Sequence, residues 1–320
     1  MKKVFITGAK GFIAQSLARC LNKKGIETCG IDLSANQEQN IIQADLFEPE
    51  RWRDMLAGCD TLIHTAAVVS NAATEEETWR VNVLGTQTVL DEAAKCDNKK
   101  RFLHFSSVAA LGLSHTGAMD ENTALRACGQ KYSDSKLASE HLVLNYNNAG
   151  KVDATIIRPA DVYGPGSRPW TVTPIDMMKQ KKFIAPKEGM FGPVYIDDLV
   201  EGCYLALNSD KAIGQIYILS GMGQVSNQEY FSFLAKMLGL DSARTLSKQL
   251  LYPIAFAAER MAHLFGKRTE LNPSTVAMLS RPSAKYIHDK ASAELGYQPK
   301  VSLEEGMARS EQWLREQGVI

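Results

Sequence analysis

The sequence predicts an α/β fold: a doubly wound parallel sheet with helices on both faces, and a smaller C-terminal α/β lobe. Three observations predict it. Short apolar runs of strand type alternate with amphipathic helical stretches, the pattern of a parallel sheet covered on both sides. The first run enters its helix through glycines. The small and polar residues that stand out fall just after successive strands, where open α/β sheets bind ligands. At 320 residues the chain is too long for one small core. Residues 1–165 are expected to form the first unit, with 194–220 returning to it. Residues 166–193 and 221–320 are expected to form the second lobe.

Val4-Phe5-Ile6-Thr7 is the first strand-like run, and Gly8-Ala9-Lys10-Gly11-Phe12-Ile13-Ala14 follows. Ile13, Leu17 and Leu21 then recur at a four-residue step, which marks a helix with one apolar face. Lys23, Lys24 and Gly25 are its stop signal. Strand, glycine turn and helix form a diphosphate-binding geometry. Gly8 permits the turn, Gly11 lets backbone approach phosphates, and Ala14 lets helix lie on strand. The first-turn N–H groups of Phe12 and Ile13 would face the anion.

The second apolar run ends in Asp32, a carboxylate placed to accept both ribose hydroxyls of an adenosine. No Lys or Arg occurs between Lys24 and Arg51, so NAD is favoured over NADP, although Lys10 could reach a phosphate. Further strands are expected at Ile41-Ile42, Thr61 to Thr65, Arg101 to Ser106, Ala154 to Arg158, and Ile216 to Leu219. The chief helices between them are Glu75 to Lys95 and Tyr132 to Asn145. Asp45-Leu46 follows the third strand, to meet an adenine amino group or to cap a helix. Ala66 and Ala67 follow the fourth, small enough for a cofactor to press on or simply a buried turn. Ser106 and Ser107 follow the fifth. Asn82 is a poor helix former inside a helix, so its amide is expected to bond something specific.

Composition excludes several classes. A hydrophobic fraction of 45% with 22% charge is that of a globular chain, and a formal net charge of zero gives no bulk attraction to nucleic acid. The six cysteines are scattered without a Cys-x-x-Cys pair, which suits a reducing cytoplasm. The histidines lack ligand spacing, so no metal is expected. The N-terminus lacks a signal-peptide core, and no apolar run is long enough to span a membrane.

Tyr132-Ser133-Asp134-Ser135-Lys136 carries the chemistry, because residues four apart share a helix face. An ammonium about 5 Å from the phenol, at an effective dielectric of ~20, would favour tyrosinate by about 3 kcal/mol, or roughly two pKa units. That would bring Tyr132 toward the range of a general acid–base.

Over nearly its whole length the chain resembles an extended short-chain dehydrogenase/reductase. The resemblance rests on Thr7-Gly8-x-x-Gly11-Phe12-x-Ala14, Asp32, Asp45-Leu46, His64-Thr65-Ala66-Ala67 and Asn82-x-x-Gly85-Thr86. It continues through Phe105-Ser106-Ser107-Val108, Tyr132-x-x-x-Lys136 and Arg158-Pro159-x-x-Val162-Tyr163-Gly164-Pro165-Gly166. The last matches are Val194-Tyr195-Ile196-Asp197-Asp198-Leu199 and Leu295-Gly296-Tyr297-x-Pro299. Ala14 stands where that family usually has glycine.

The resemblance implies a Rossmann sheet and a nicotinamide cofactor, with Tyr132 as proton donor or acceptor. Lys136 would bond the nicotinamide ribose and lower the phenol's pKa, and Ser107 would hold the substrate oxygen. Backbone from Pro159 to Val162 would meet the carboxamide, while Arg158 is equally readable as structural. Ser106 reads more as a hydrogen-bonding packing residue than as a catalytic one. By analogy alone, the two long helices suggest a homodimer seam.

For the substrate two readings compete. Ser107 is followed by Val108-Ala109-Ala110 rather than an Asp-Glu pair, which argues against sugar dehydration. Arg281-Pro282 and Arg168 could meet a sugar-nucleotide diphosphate, which keeps a nucleotide-sugar 4-epimerase open. The apolar segment Leu250 to Leu279 is similar to one in 3β-hydroxysteroid-dehydrogenase-like members, which handle lipophilic alcohols and ketones. Alternatively it packs on the lobe core, meets a dimer partner, or touches a membrane surface. A cofactor-binding protein without activity is a third reading, disfavoured by the intact Ser107, Tyr132 and Lys136.

Overall fold

The computed structural model describes all of residues 1–320. Seven parallel strands form the central sheet: β1 (Lys3–Thr7), β2 (Glu27–Asp32), β3 (Ile41–Gln43), β4 (Thr61–His64), β5 (Arg101–Phe105), β6 (Asp153–Pro159) and β7 (Ile216–Leu219). Their spatial order is β7-β6-β5-β4-β1-β2-β3. The winding reverses between β1 and β4, so a crevice opens beyond their carboxyl ends.

Alternation along each strand divides the core. Val4 and Ile6 point into the larger apolar cluster, with α1 (Phe12–Lys23) and the C-terminal lobe. Phe5 points to the opposite face, with Trp52, Leu62, Val89, Leu90 and Val143. Ile157 and Ile156 of β6 divide the same way. The expected α1 forms with Ala14, Leu17 and Leu21 buried, and the chain leaves it at Gly25 with φ +76°.

The helix expected over 75–95 is broken in the middle. It runs as an α-helical turn (Glu75–Trp79), a π-helical turn (Arg80–Gly85), then α2 (Thr86–Ala94). Thr74 starts it with a reciprocal capping box to Glu77. The second long helix, α3 (Lys131–Asn148), packs beside it and carries Tyr132 in its first turn.

Residues 194–220 supply α4 (Ile196–Leu207), which packs on α1, and the edge strand β7. The C-terminal lobe holds α5 (Asn227–Met237), α6 (Lys248–Leu264), α7 (Pro273–Leu279) and α8 (Leu303–Glu316). Its aromatic centre is Phe191, Tyr230, Phe231 and Phe183, and it joins the sheet's larger cluster without a break.

Candidate active site

Gly8 makes the first turn for two reasons. Its φ is +66°, and a Cβ there would lie 2.8 Å from the Ala66 Cα. The turn therefore nests against the end of β4, and Ala66 is small because it meets this backbone. Gly11 caps α1 with φ −65° and offers no side chain to the helix, and the first turn carries no acid. A 12-residue helix thus presents free N–H groups at the crevice, a fit for a diphosphate.

Asp32 ends β2 and accepts from the Lys10 backbone N–H at 2.9 Å through one oxygen. Lys10 Nζ donates to Ser34 Oγ at 2.7 Å. Ser34 was not anticipated; a hydroxyl two residues past the acid was the only clue. Phe12 and Ile13 are partly exposed at the same turn. Asp45 accepts from Phe47 N–H at 3.0 Å through one oxygen, a local turn bond; the short helix Pro49–Arg51 that follows is capped at Glu48 without a side-chain bond. Leu46, expected beside the adenine, packs inward. It is buried, and its Cδ1 lies 2.8 Å from where a Cβ on Gly85 would sit, so it fills the space beside the π turn.

Tyr132, Lys136 and Glu140 share one face of α3. Lys136 Nζ donates to the Phe105 carbonyl at 2.7 Å and lies 5.9 Å from the Tyr132 ring centre. Ser107 follows β5, and its Oγ accepts from Ala109 N–H at 3.1 Å. The Tyr132 phenol is pushed up to about 12, chiefly by burial; nearby Ser107 pulls it down and Asp161 adds to the rise. Burial also lowers Lys136 to about 8, against Glu140. In the protein alone burial dominates the phenol, and the Lys136 ammonium is directed at the Phe105 carbonyl.

Beneath this face lies a buried polar network. Arg158 forks onto Glu140, Nε to Oε1 at 2.9 Å and Nη2 to Oε2 at 2.8 Å. Ser106 Oγ donates to the same Oε1 at 2.5 Å. Ser106 and Arg158 thus both hold Glu140 in place. Asn82 is wholly buried: its amide accepts from Val68 N–H at 2.7 Å and donates to Val68 O at 3.0 Å and Ser135 Oγ at 2.9 Å. The expected specific bonding is present, and it ties the Ala66-Ala67 loop to α3. Ala67 is partly exposed on that loop. His64 bridges Thr7 at 2.7 Å and Thr86 at 2.9 Å, and burial lowers it to about 3, with Lys136 adding to the effect.

Pro159 ends β6 as a buried residue, and Val162 is partly exposed in the next short strand. Between them, Asp161 is buried and paired with Arg281, and also accepts from Gly192 N–H at 2.8 Å. Burial pushes the Asp161 carboxyl up, with Arg281 pulling against it. Arg281 also donates to Met190 O at 3.1 Å. Arg281, expected to meet a substrate diphosphate, is held in this structure by the buried Asp161 carboxylate. Arg168 is exposed at the start of a π-helical turn, with no side-chain partner.

The turn, the acid at the end of β2 and the Ser107–Tyr132–Lys136 cluster fit a nicotinamide dinucleotide along the sheet's carboxyl edge. Comparisons with known proteins agree. A family profile described as "NAD dependent epimerase/dehydratase family" matches residues 4–220. A 4-hydroxy-2-methyl-3-oxo-4-farnesyl-3,4-dihydroquinoline-1-oxide ketoreductase of Stigmatella aurantiaca is 28% identical over 95% of this chain and 94% of its own. The 3beta-hydroxysteroid-dehydrogenase/decarboxylase isoform 1 of Arabidopsis thaliana is 26% identical over 95% of this chain and 78% of its own. In fold, the chain matches a UDP-glucuronic acid 4-epimerase from Bacillus cereus, solved with UDP-glucuronic acid and NAD. The TM-score is 0.77 at 24% identity, covering 98% of this chain and 99% of that one.

Proposed function

The chain belongs to the NAD dependent epimerase/dehydratase family, an enzymatic family whose cofactor is NAD, and we propose that it interconverts a secondary alcohol and a ketone on a lipophilic small molecule. The observation that carries the choice of substrate is the Asp161–Arg281 pair. A diphosphate would have to displace a buried carboxylate to reach that guanidinium, at a cost of several kcal/mol. Two relatives whose names specify a farnesylated ketone and a hydroxysteroid support the same reading.

Bound NAD supplies the hydride acceptor in oxidation and, reduced, the donor in reduction. Tyr132 gives its hydroxyl proton to the nascent alkoxide in reduction and takes it back in oxidation. Ser107 hydrogen-bonds the same oxygen. Lys136 holds a positive charge beneath the phenol and fixes the end of β5 through Phe105. Asp32 and the α1 N-terminus orient the adenosine half.

NAD reduction with hydroxysteroids, terpenoid alcohols and long-chain secondary alcohols tests the proposal. Turnover of one of these class members supports it. Turnover only of a UDP- or dTDP-sugar rejects it. Tyr132→Phe should lower kcat by at least about 100-fold while NAD affinity by calorimetry stays within about twofold.

One observation favours a second reading, the nucleotide-sugar 4-epimerase: Arg168 is exposed and unpaired. Such an enzyme reoxidises its own cofactor and would need no added NAD. We further place the protein in the cytoplasm, consistent with six free thiols. A homodimer seam along the 75–94 and 131–148 helices is supported by Trp79 and Leu84, both exposed there.

A further inference from the structure

Of the fourteen large hydrophobic side chains exposed on this chain, seven lie between Leu250 and Phe265. They belong to α6 and the residue after it. Leu251 and Ala255 face inward onto Val276 of α7. On an adjoining side Leu250, Ile254, Ala257, Met261 and Leu264 follow one another at steps of four, three, four and three residues. That is one continuous stripe along a helix about 25 Å long. Leu250 is 60% exposed, Met261 53%, Leu264 79% and adjoining Phe265 70%. α6 is therefore apolar on two faces, and only one is covered. No helix of this protein is long and apolar enough to cross a membrane.

The charge beside the stripe is mainly positive, although the Glu188 carboxylate accepts from Lys248 N–H at 2.7 Å. Lys248, Arg260, Lys267 and Arg268 lie within 248–269, against a single acid, Glu259. Lys248, Arg260 and Lys267 form no ion pair. Arg260 instead lies over the Phe256 ring, 5.1 Å from its centre, on the flank that also carries Tyr252. In a chain of zero net charge this is a local concentration of cations and amphipathic aromatics along an apolar edge. The same groups settle at the headgroup level of an anionic bilayer. A second copy docking by two-fold symmetry would bring these cations together with Glu259 as the one acid of each helix to answer them.

The segment after α6 reaches the rim of the site. Glu270 accepts from Ser70 Oγ at 2.5 Å, Arg268 pairs with Glu77 at 2.7 Å, and Asn272 donates to Asn71 O at 3.2 Å. Those partners lie just beyond the Ala66-Ala67 loop. We propose that the outer face of α6 seats in the interfacial layer of an anionic lipid membrane and holds the rim of the cleft beside it. The inference stands apart from the identity of the substrate.

The test is co-sedimentation of the full chain with vesicles of phosphatidylcholine alone and of phosphatidylcholine mixed with phosphatidylglycerol. The protein is expected to pellet with the mixed vesicles and to be released by high salt. Lys248→Ala with Arg260→Ala should lower partitioning about tenfold or more. Ile254→Asp with Leu264→Asp should abolish it, with NAD affinity by calorimetry confirming an intact fold. Should that double variant lose NAD binding, Leu264→Asp alone, at the most exposed position, replaces it. A wild-type protein that stays in the supernatant with every vesicle overturns the proposal, as does a stripe variant that pellets like the wild type. If the stripe variants instead convert a dimer to a monomer in sedimentation equilibrium, without vesicle binding by the wild type, the face belongs to a second copy.

Discussion

At the scale of single residues the site is set to act as an acid. With Tyr132 at about 12 and Lys136 at about 8, both carry their protons at neutral pH. The two groups are neighbours, so an observed pH profile reports the pair. Ketone reduction consumes a proton and favours protonated Tyr132 above a charged Lys136. Its kcat should be flat below pH 8 and fall as pH rises through about 8, where the ammonium is lost. Lys136→Arg keeps the charge at every accessible pH, so its alkaline limb should shift upward by more than a pH unit, even if kcat itself is lower. A limb that stays in place would mean that another group controls it. The same dryness that raises the phenol lowers the amine, which a residue-by-residue reading of Tyr-x-x-x-Lys leaves out.

At the scale of elements, the sequence showed most where a single period governed. β1, the glycine turn, α1 and α3 all follow from periodicity and turn chemistry, and each forms where expected. Asn82 also stood out, because an amide inside a helix needs a reason. Its partners were hidden, since they lie on the Val68 backbone and on Ser135 of α3, 14 and 53 residues away. The ion pair of Arg281 was hidden for another reason. Its partner Asp161 lies 120 residues away, and pairing at that distance leaves no local trace beyond a lone acid inside an apolar run. α6 was legible as an apolar helix, but an element apolar on two faces does not say which face is covered. Asn82→Ala tests what these bonds do. It removes three hydrogen bonds, including both to Val68, and should cost about 2 kcal/mol of stability. It should also free the Ala66-Ala67 loop from α3, so the Kd for NAD should rise several-fold while Tyr132 keeps its place. An unchanged NAD affinity would show that the loop holds its position without this clamp.

At the scale of the whole molecule, the sheet and one of its helical layers meet at His64. Its ring joins Thr7 of β1 to Thr86 of α2 from inside β4, and stacks 5.7 Å from His104 of β5. Burial first, then Lys136, lowers His64 to about 3 in the folded protein, against an unfolded value near 6.5. The folded state therefore binds fewer protons than the unfolded chain between those two values. The stability contributed by the neutral ring is fully present above about pH 6.5 and is lost as pH falls through about 3. The shift corresponds to about 5 kcal/mol at its limit, a large share of the ~5–15 kcal/mol typical of a folded chain. His104 is lowered by burial in the same way and adds to the effect. Carboxylates titrate over part of the same range, so the difference between two proteins is the informative quantity. His64→Asn supplies a donor and an acceptor of similar reach but no titratable ring. Urea unfolding of both proteins between pH 4 and pH 8 should show the wild type losing stability faster on acidification. The variant should start lower at pH 8 and close the gap by roughly 2–3 kcal/mol near pH 4. Parallel curves would mean that His64 is not held neutral by the fold. The acid sensitivity would then belong to the carboxylates, and the ring would be a spacer between strands rather than the point where proton binding and folding are coupled.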